Sequence, residues 1–159
     1  MAILIDWRDI VVLVSLGIAL DQYRRQRNEK RASRAARLSM LRAFTAYAFS
    51  DMARLCADLG AWIRIGNWER TIDLANRLTI GLADTSGSWP ELLSPFERDK
   101  CEAVINGIRS IQKSIPGQEQ ANVDEKRVND MIRQCENATW WLVGIAGRLK
   151  YESQEESQL

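Results

Sequence analysis

An all-α fold is what this chain predicts, and three observations carry the reading. From Asp21 to Leu59 there is neither glycine nor proline, and good helix formers dominate: Ala, Arg, Leu, Met and Glu. Elsewhere apolar residues recur at steps of three and four, the spacing of one helical face. No segment alternates apolar and polar residues with period two over a useful length. The expected architecture is a short N-terminal membrane-span helix running into a long helix, packed with three further helices as a four-helix bundle. The expected divisions are an anchor over 1–23, a basic juxtamembrane stalk over 24–36, a cytosolic bundle domain over 37–151 and a polar tail over 152–159.

The elements follow in order. One continuous helix can run from about residue 8 to about residue 62, roughly 80 Å at 1.5 Å per residue. Its second half carries a seam of Leu38, Leu41, Phe44, Ala48, Met52, Leu55, Leu59 and Trp62. Gln22 to Ala36 has no such seam and reads as a solvated stalk or a strip against lipid headgroups. The stretch Ile65–Trp68 breaks the pattern: Gly66 can end the first helix and Asn67 can cap the next. The second helix is expected from Trp68 to Leu82, with Trp68, Ile72, Ala75, Leu78 and Leu82 on one face. Residues 84–95, DTSGSWPELLSP, read as a loop with room for one helical turn. Ser94, Pro95 and Glu97 form a capping-box signature that opens the third helix, with Phe96, Val104, Ile108 and Ile111 inward. SIPGQ stops it. The fourth helix starts near 122–124 and runs to about Tyr151 on a stripe of Val128, Ile132, Cys135, Leu142, Ile145 and Leu149. Its stretch ATWWLVGIAG, Ala138 to Gly147, reads as a buried helix centre, the alternative being a membrane-dipping or oligomer-forming surface; ten residues are too short to span a bilayer.

The N-terminal segment decides where the protein sits. Ile10 to Leu20 is an uninterrupted run of apolar and small residues, about 16 Å long as a helix. A hydrocarbon core is about 30 Å thick, so the run is short for a span. Trp7 and Tyr23 bracket it, which is what interfacial aromatic belts look like, and lengthen the segment to about 24 Å. Ser15 and Ala19, with Gly17 between them, give small-xxx-small spacing for close helix approach. A cleaved secretory signal is not expected, because the flank before the run is slightly acidic and the arginines come after it. The alternatives to a span are a helix buried in a soluble oligomer core and a helix lying in the interface plane.

Charge points the same way. Residues 21–42 hold eight basic side chains against Asp21 and Glu29, a net +6, although the whole chain is only +1. Arg24, Arg27, Arg31 and Arg34 recur at steps of three, four and three and share one face. Beside a membrane such a strip anchors the cytoplasmic side of a helix and binds anionic lipid at about 1 kcal/mol per charge. In an oligomer it could instead ring a phosphate-bearing ligand. Nucleic acid is not favoured, because the strip lacks interleaved aromatics and the rest of the chain is acidic.

Catalytic chemistry finds little support. The chain has no histidine, which removes His-based acid–base catalysis, Ser–His and Cys–His pairs and the usual zinc sites. Cys56, Cys101 and Cys135 sit in helical patterns with no CxxC spacing and read as core residues. Carboxylates such as Glu97, Asp99, Asp124 and Glu125 lie at helix starts, where the helix dipole favours them. No enzyme and no cofactor is expected. The leading expectation is a membrane-anchored, single-pass, non-catalytic helical interaction module, N-terminus outside and C-terminal domain cytoplasmic. It would act as a homo-oligomer or as a subunit of a membrane complex, against an anionic leaflet. The alternatives are a ligand-gated membrane effector sensing an anionic, nucleotide-type signal, as in bacterial antiviral defence, and a soluble helical assembly protein.

Overall fold

The computed structural model describes the backbone of residues 7–115 and 124–156, and the side chains of 19–115 and 124–155. The described residues form four α-helices: α1 Trp7–Arg64, α2 Trp68–Ser88, α3 Pro95–Ser114 and α4 Glu125–Glu156. A single 3₁₀ turn, Pro90–Leu92, links α2 to α3. The helices pack as a bundle in which α1 and α4 lie side by side along most of its length. They run antiparallel: Ser39 Oγ donates to the Ser153 carbonyl at 2.8 Å, and Thr139 Oγ1 reaches the Ala53 carbonyl at 3.4 Å. α2 packs on α1 and α3, and α3 closes weakly on α4.

The helix ends follow from local chemistry. Gly66 takes φ 71°, the left-handed conformation that ends a helix at little cost to glycine. One residue later the Asn67 side chain accepts from the Arg70 backbone N–H at 3.1 Å and starts α2. Ser94 and Glu97 make the reciprocal capping box that opens α3. α2 runs six residues beyond the expected Leu82, through the Ser- and Gly-containing stretch. Ser86 Oγ bonds back to the Leu82 carbonyl at 2.7 Å, so its hydroxyl is satisfied inside the helix. The SIPGQ stop after Ser114, the expected start at 122–123 and the last residues of the tail lie outside the described residues.

The core holds Phe49, Leu59, Ile63, Leu78, Leu82, Ile111, Leu142 and Leu149, all fully enclosed. Three expected inward residues face out instead. Phe44 is 66% exposed and the α1 seam is turned toward Thr45, Phe49, Ala53 and Cys56. The cause is the close approach of α4. A Cβ on Gly60 would lie only 3.4 Å from Cys135 Cβ, and small residues such as Ala46, Ala53, Ala138 and Ala146 fill the contact. On α2, Ile72 is exposed because Thr71 takes the inward place, its hydroxyl bonded to the Asn67 carbonyl at 2.8 Å. On α3, Phe96 is exposed because Glu97, one residue on, turns inward to meet Arg148.

The stretch Ala138 to Gly147 is also not a buried centre throughout. Ala138, Leu142, Ile145 and Ala146 are buried, but Trp140 is 82% exposed and Trp141 and Val143 are exposed too. The apolar run Ile10 to Leu20 lies within α1. Among the described residues no helix is long and apolar enough to cross a membrane. Arg8 and Asp9 precede the run and Asp21 and Arg24 follow it, so charge enters any window long enough to span.

Candidate functional site

The basic stalk is the first candidate. Every residue of α1 from 19 to 37 is exposed, and packing against the bundle begins at Leu38. Among the described residues the stalk is therefore a lone helix. Arg24, Arg27, Arg31 and Arg34 lie along it as their spacing predicts, and Tyr23, Gln26 and Lys30 join Arg27, Arg31 and Arg34 around a shallow concavity. Asp21 is engaged by Arg25, i to i+4, at 3.0 Å. Both partners are largely exposed, so this pair adds only a few tenths of a kcal/mol. The four arginines form no ion pair with another described residue, and their charge faces solvent. Ala19 and Tyr23 are exposed on the same helix. The side chains of Trp7, Ser15 and Gly17 lie outside the described residues, so the expected aromatic pair and small-residue packing are placed only at its Tyr23 and Ala19 ends.

A second candidate is a cleft between α3 and α4. Val104, Ile108, Cys135 and Ala138 line its apolar wall, with Gln134 and Lys100 at its edge. Lys100 Nζ stands 4.6 Å from the centre of the Trp141 ring and 5.2 Å from that of Phe96. Those two rings meet edge to face at 5.6 Å. Stacking a cation on two exposed rings explains why Phe96 and Trp141 are tolerated at the surface. Cys56 and Cys135 reach the cleft floor, and burial, with a smaller effect from Cys135 on Cys56 and from Glu136 on Cys135, pushes both thiols up to about 12. Thiols so held are protonated at neutral pH and make poor nucleophiles.

The third polar cluster is built around Arg148. Its Nε donates to Glu97 Oε1 at 2.6 Å, Nη2 to Glu97 Oε2 at 2.7 Å and to the Leu92 carbonyl at 2.9 Å, and Nη1 to Glu152 Oε1 at 2.7 Å. Arg42 approaches Glu152 at 3.3 Å. The cluster ties α1, α3, α4 and the 3₁₀ turn together. Burial alone would raise the Glu97 carboxyl; the hydrogen bonds from Arg148 and Ser94 outweigh it and hold the group below its ordinary value. A carboxylate so fully engaged serves as a structural clamp. No group of three potential metal ligands occurs among the described residues. The sequence showed Glu97 as a helix-capping residue, but Arg148 is fifty-one positions away and carried no local signal.

No protein-family model matches the chain, and no curated protein or solved structure is similar to it.

Proposed function

We propose that this protein is a membrane-anchored, non-catalytic helical interaction module. In this reading α1 is a spacer that holds the bundle off a membrane surface, and the module acts as a homo-oligomer or as a subunit of a membrane complex. The observation that supports it is the unpacked stretch 19–37 of α1, basic along its length and continuous with the apolar run Ile10 to Leu20. From Trp7 to Leu38 the helix rises about 45 Å. The bundle starts only at Leu38, so lipid or another chain supplies the burial that the apolar run requires.

The anchor is short. Its eight Ile, Val and Leu side chains contribute about −0.3 to −0.6 kcal/mol each on insertion scales, roughly −2 to −5 kcal/mol together. Interfacial Trp7 and Tyr23 and the arginine block must hold it in place. The arginines put the bundle on the cytoplasmic side. Among the described residues the α3/α4 cleft has an apolar wall and Lys100 as its single cation, a poor match for a multiply charged nucleotide, so the interaction-module reading is preferred over a ligand-gated effector.

The test is Val12→Asp with Leu16→Asp. Each aspartate costs about 2.5–3.5 kcal/mol near the centre of an inserted helix, so two exceed the whole apolar gain. The unmodified chain is expected to stay with membranes through carbonate washing, and the double variant to move to the soluble fraction. A soluble unmodified chain, or a double variant that still sediments with membranes, refutes the proposal.

A further inference from the structure

The cleft between α3 and α4 is built on one face of each helix. From α3 it is lined by Lys100, Ala103, Val104, Gly107, Ile108 and Ile111, a continuous helical face about 16 Å long. Gln134, Cys135, Ala138 and Trp141 face them from α4, and Cys56 of α1 reaches the floor. The two helices run antiparallel here, with Trp141 beside Lys100 and Gln134 opposite Gly107. At Glu97 the ion pair with Arg148, 2.6 Å long, ties α3 to α4. Farther along α3, small residues face the gap from both sides and do not close it. A Cβ on Gly107 would meet nothing nearer than Gln134 Oε1 at 3.9 Å. What remains is an open space of about 180 Å³ beside the core. Packed interiors leave few voids larger than a water molecule, so this gap is a feature of the fold that wants an occupant.

The lining is divided by chemistry. Its depth is apolar: Val104, Ile108, Ile111, Cys135 and Ala138 are all buried. Its mouth is polar, with Lys100 and the exposed amides of Gln134 and Asn137. Lys100 is the single cation among the lining residues, and no carboxylate is among them. Of the acidic residues next to the lining, Glu97 is held by Arg148 and Glu136 approaches Arg64 at 3.9 Å. Lys100 makes no ion pair with a described residue. Its Nζ is held instead over the Trp141 ring at 4.6 Å and near the Phe96 ring at 5.2 Å. The rings attract the ammonium through its charge and leave its three N–H donors without an oxygen acceptor among the described residues.

We propose that this cleft binds a small monoanion with an apolar body, an aliphatic or aromatic carboxylate. An apolar cavity of about 150 Å³ takes a benzene ring, so the space here suits a body of about six to eight carbons. The body lies against Val104, Ile108 and Ala138, where Gly107 leaves room for it. The carboxylate accepts from Lys100 Nζ at the mouth, and the Asn137 amide, one turn along α4 from Trp141, offers further donors. One cation at an otherwise uncharged mouth matches one negative charge. A second charge on the ligand would sit unpaired beside apolar walls. The cleft belongs to the bundle, so this proposal does not rest on the membrane anchor.

The experiment follows 3-(4-fluorophenyl)propanoate by fluorine NMR with the full chain in discs of zwitterionic lipid. Saturable binding is expected with a Kd of about 1 mM or tighter, within reach of a ligand of this size. The matching alcohol and the matching amine are expected to bind at least about five-fold more weakly, because neither accepts a charge-assisted bond from Lys100. Lys100→Met should weaken the carboxylate by about the same factor and leave the alcohol unchanged, a split that loss of structure would not produce. Lys113→Met, which removes an exposed cation outside the cleft, should change nothing. Gly107→Leu puts a side chain into the gap and should abolish binding of every probe. Cys101 is buried and does not line the cleft, so its continued protection from a thiol reagent shows that each variant is folded. Should Gly107→Leu expose Cys101, Ala103→Leu fills the same space from an exposed position. Four results each overturn the proposal: no saturable binding at about ten times the stated concentration, the same signal from discs without protein, an alcohol bound as tightly as the carboxylate, or unchanged binding in Lys100→Met or in a folded gap-filling variant. Membrane extraction reads a different property, so the anchor and the cleft can fail separately.

Discussion

Phe49→Ala and Phe44→Ala, five residues apart on one helix, separate the two possible faces of α1. Phe49 is fully buried in the core, whereas Phe44 is 66% exposed. Truncating a buried phenylalanine costs about 3–5 kcal/mol, the lost burial of the ring plus the cavity left behind. Truncating an exposed one away from caps and networks stays within about 0.5 kcal/mol. With a urea slope of about 2 kcal/mol per molar, Phe49→Ala moves the unfolding midpoint down by roughly 2 M and Phe44→Ala by about 0.2 M. The natural cysteines report this in the membrane-bound chain. Cys56 and Cys135 are buried, so their reaction with a thiol reagent follows opening of the bundle across a urea series. Equal shifts for the two variants, or a larger one for Phe44→Ala, would mean that α1 is rotated from the face described.

Changing Arg24, Arg27, Arg31 and Arg34 to Lys keeps the charge and removes the planar fork. Membrane association and a cytoplasmic C-terminus are expected to persist, because headgroups and the orientation rule read positive charge. Loss of activity with topology intact would make the strip a phosphate-gripping site. Arg148→Met removes the guanidinium bonded to Glu97, Glu152 and Leu92. It should lower bundle stability by about 1.5–3 kcal/mol, the range for hydrogen bonds to charged groups. It should also change the acid response. The Glu97 carboxyl is held below its ordinary value of 4.5, so its contribution is complete above pH 4.5 and is lost as pH falls through the depressed value. Without Arg148 the stability curve should flatten in that acid range. A variant that keeps the full acid slope would show that other groups set it.

Punctuation was more legible in the sequence than facing. Gly66, Asn67 and the Ser94–Glu97 box each act through one or two residues, so their roles can be read locally, and all three stand where expected. The α2 end was not legible, because Thr85, Ser86 and Gly87 look like loop and nothing local shows that the Ser86 hydroxyl closes on Leu82. Faces failed wherever hydrophobicity and closeness disagreed. On α1 the expected seam holds in part: Leu59 is buried and Leu38, Leu41, Met52, Leu55 and Trp62 pack against the core, but Phe44 faces out and the smaller Thr45, Ala53 and Cys56 are buried instead. The arginine strip was legible by spacing alone.

The stalk raises a question of its own: what holds residues 19–37 helical without packing. Nucleation is the expensive step, and here the bundle has already met it. Each further residue then only propagates the helix, which Ala, Arg, Lys, Glu and Gln do well. Against this, Arg27 and Arg31 sit at i, i+4 and Arg31 and Arg34 at i, i+3. Like charges at these spacings cost about 0.2–0.5 kcal/mol per pair, more than the exposed Asp21–Arg25 pair returns. Propagation near unit weight per residue leaves the stalk close to balance, so its order should depend on what neutralises the arginines. Amide exchange over 19–37 is expected to slow when neutral lipid vesicles are replaced by vesicles rich in anionic lipid. The gain should disappear at about 1 M salt, where the screening length falls to about 3 Å. Exchange in the bundle, which has no such charge problem, should not change. Equal protection of 19–37 on both kinds of vesicle would show that the stalk needs no anionic surface.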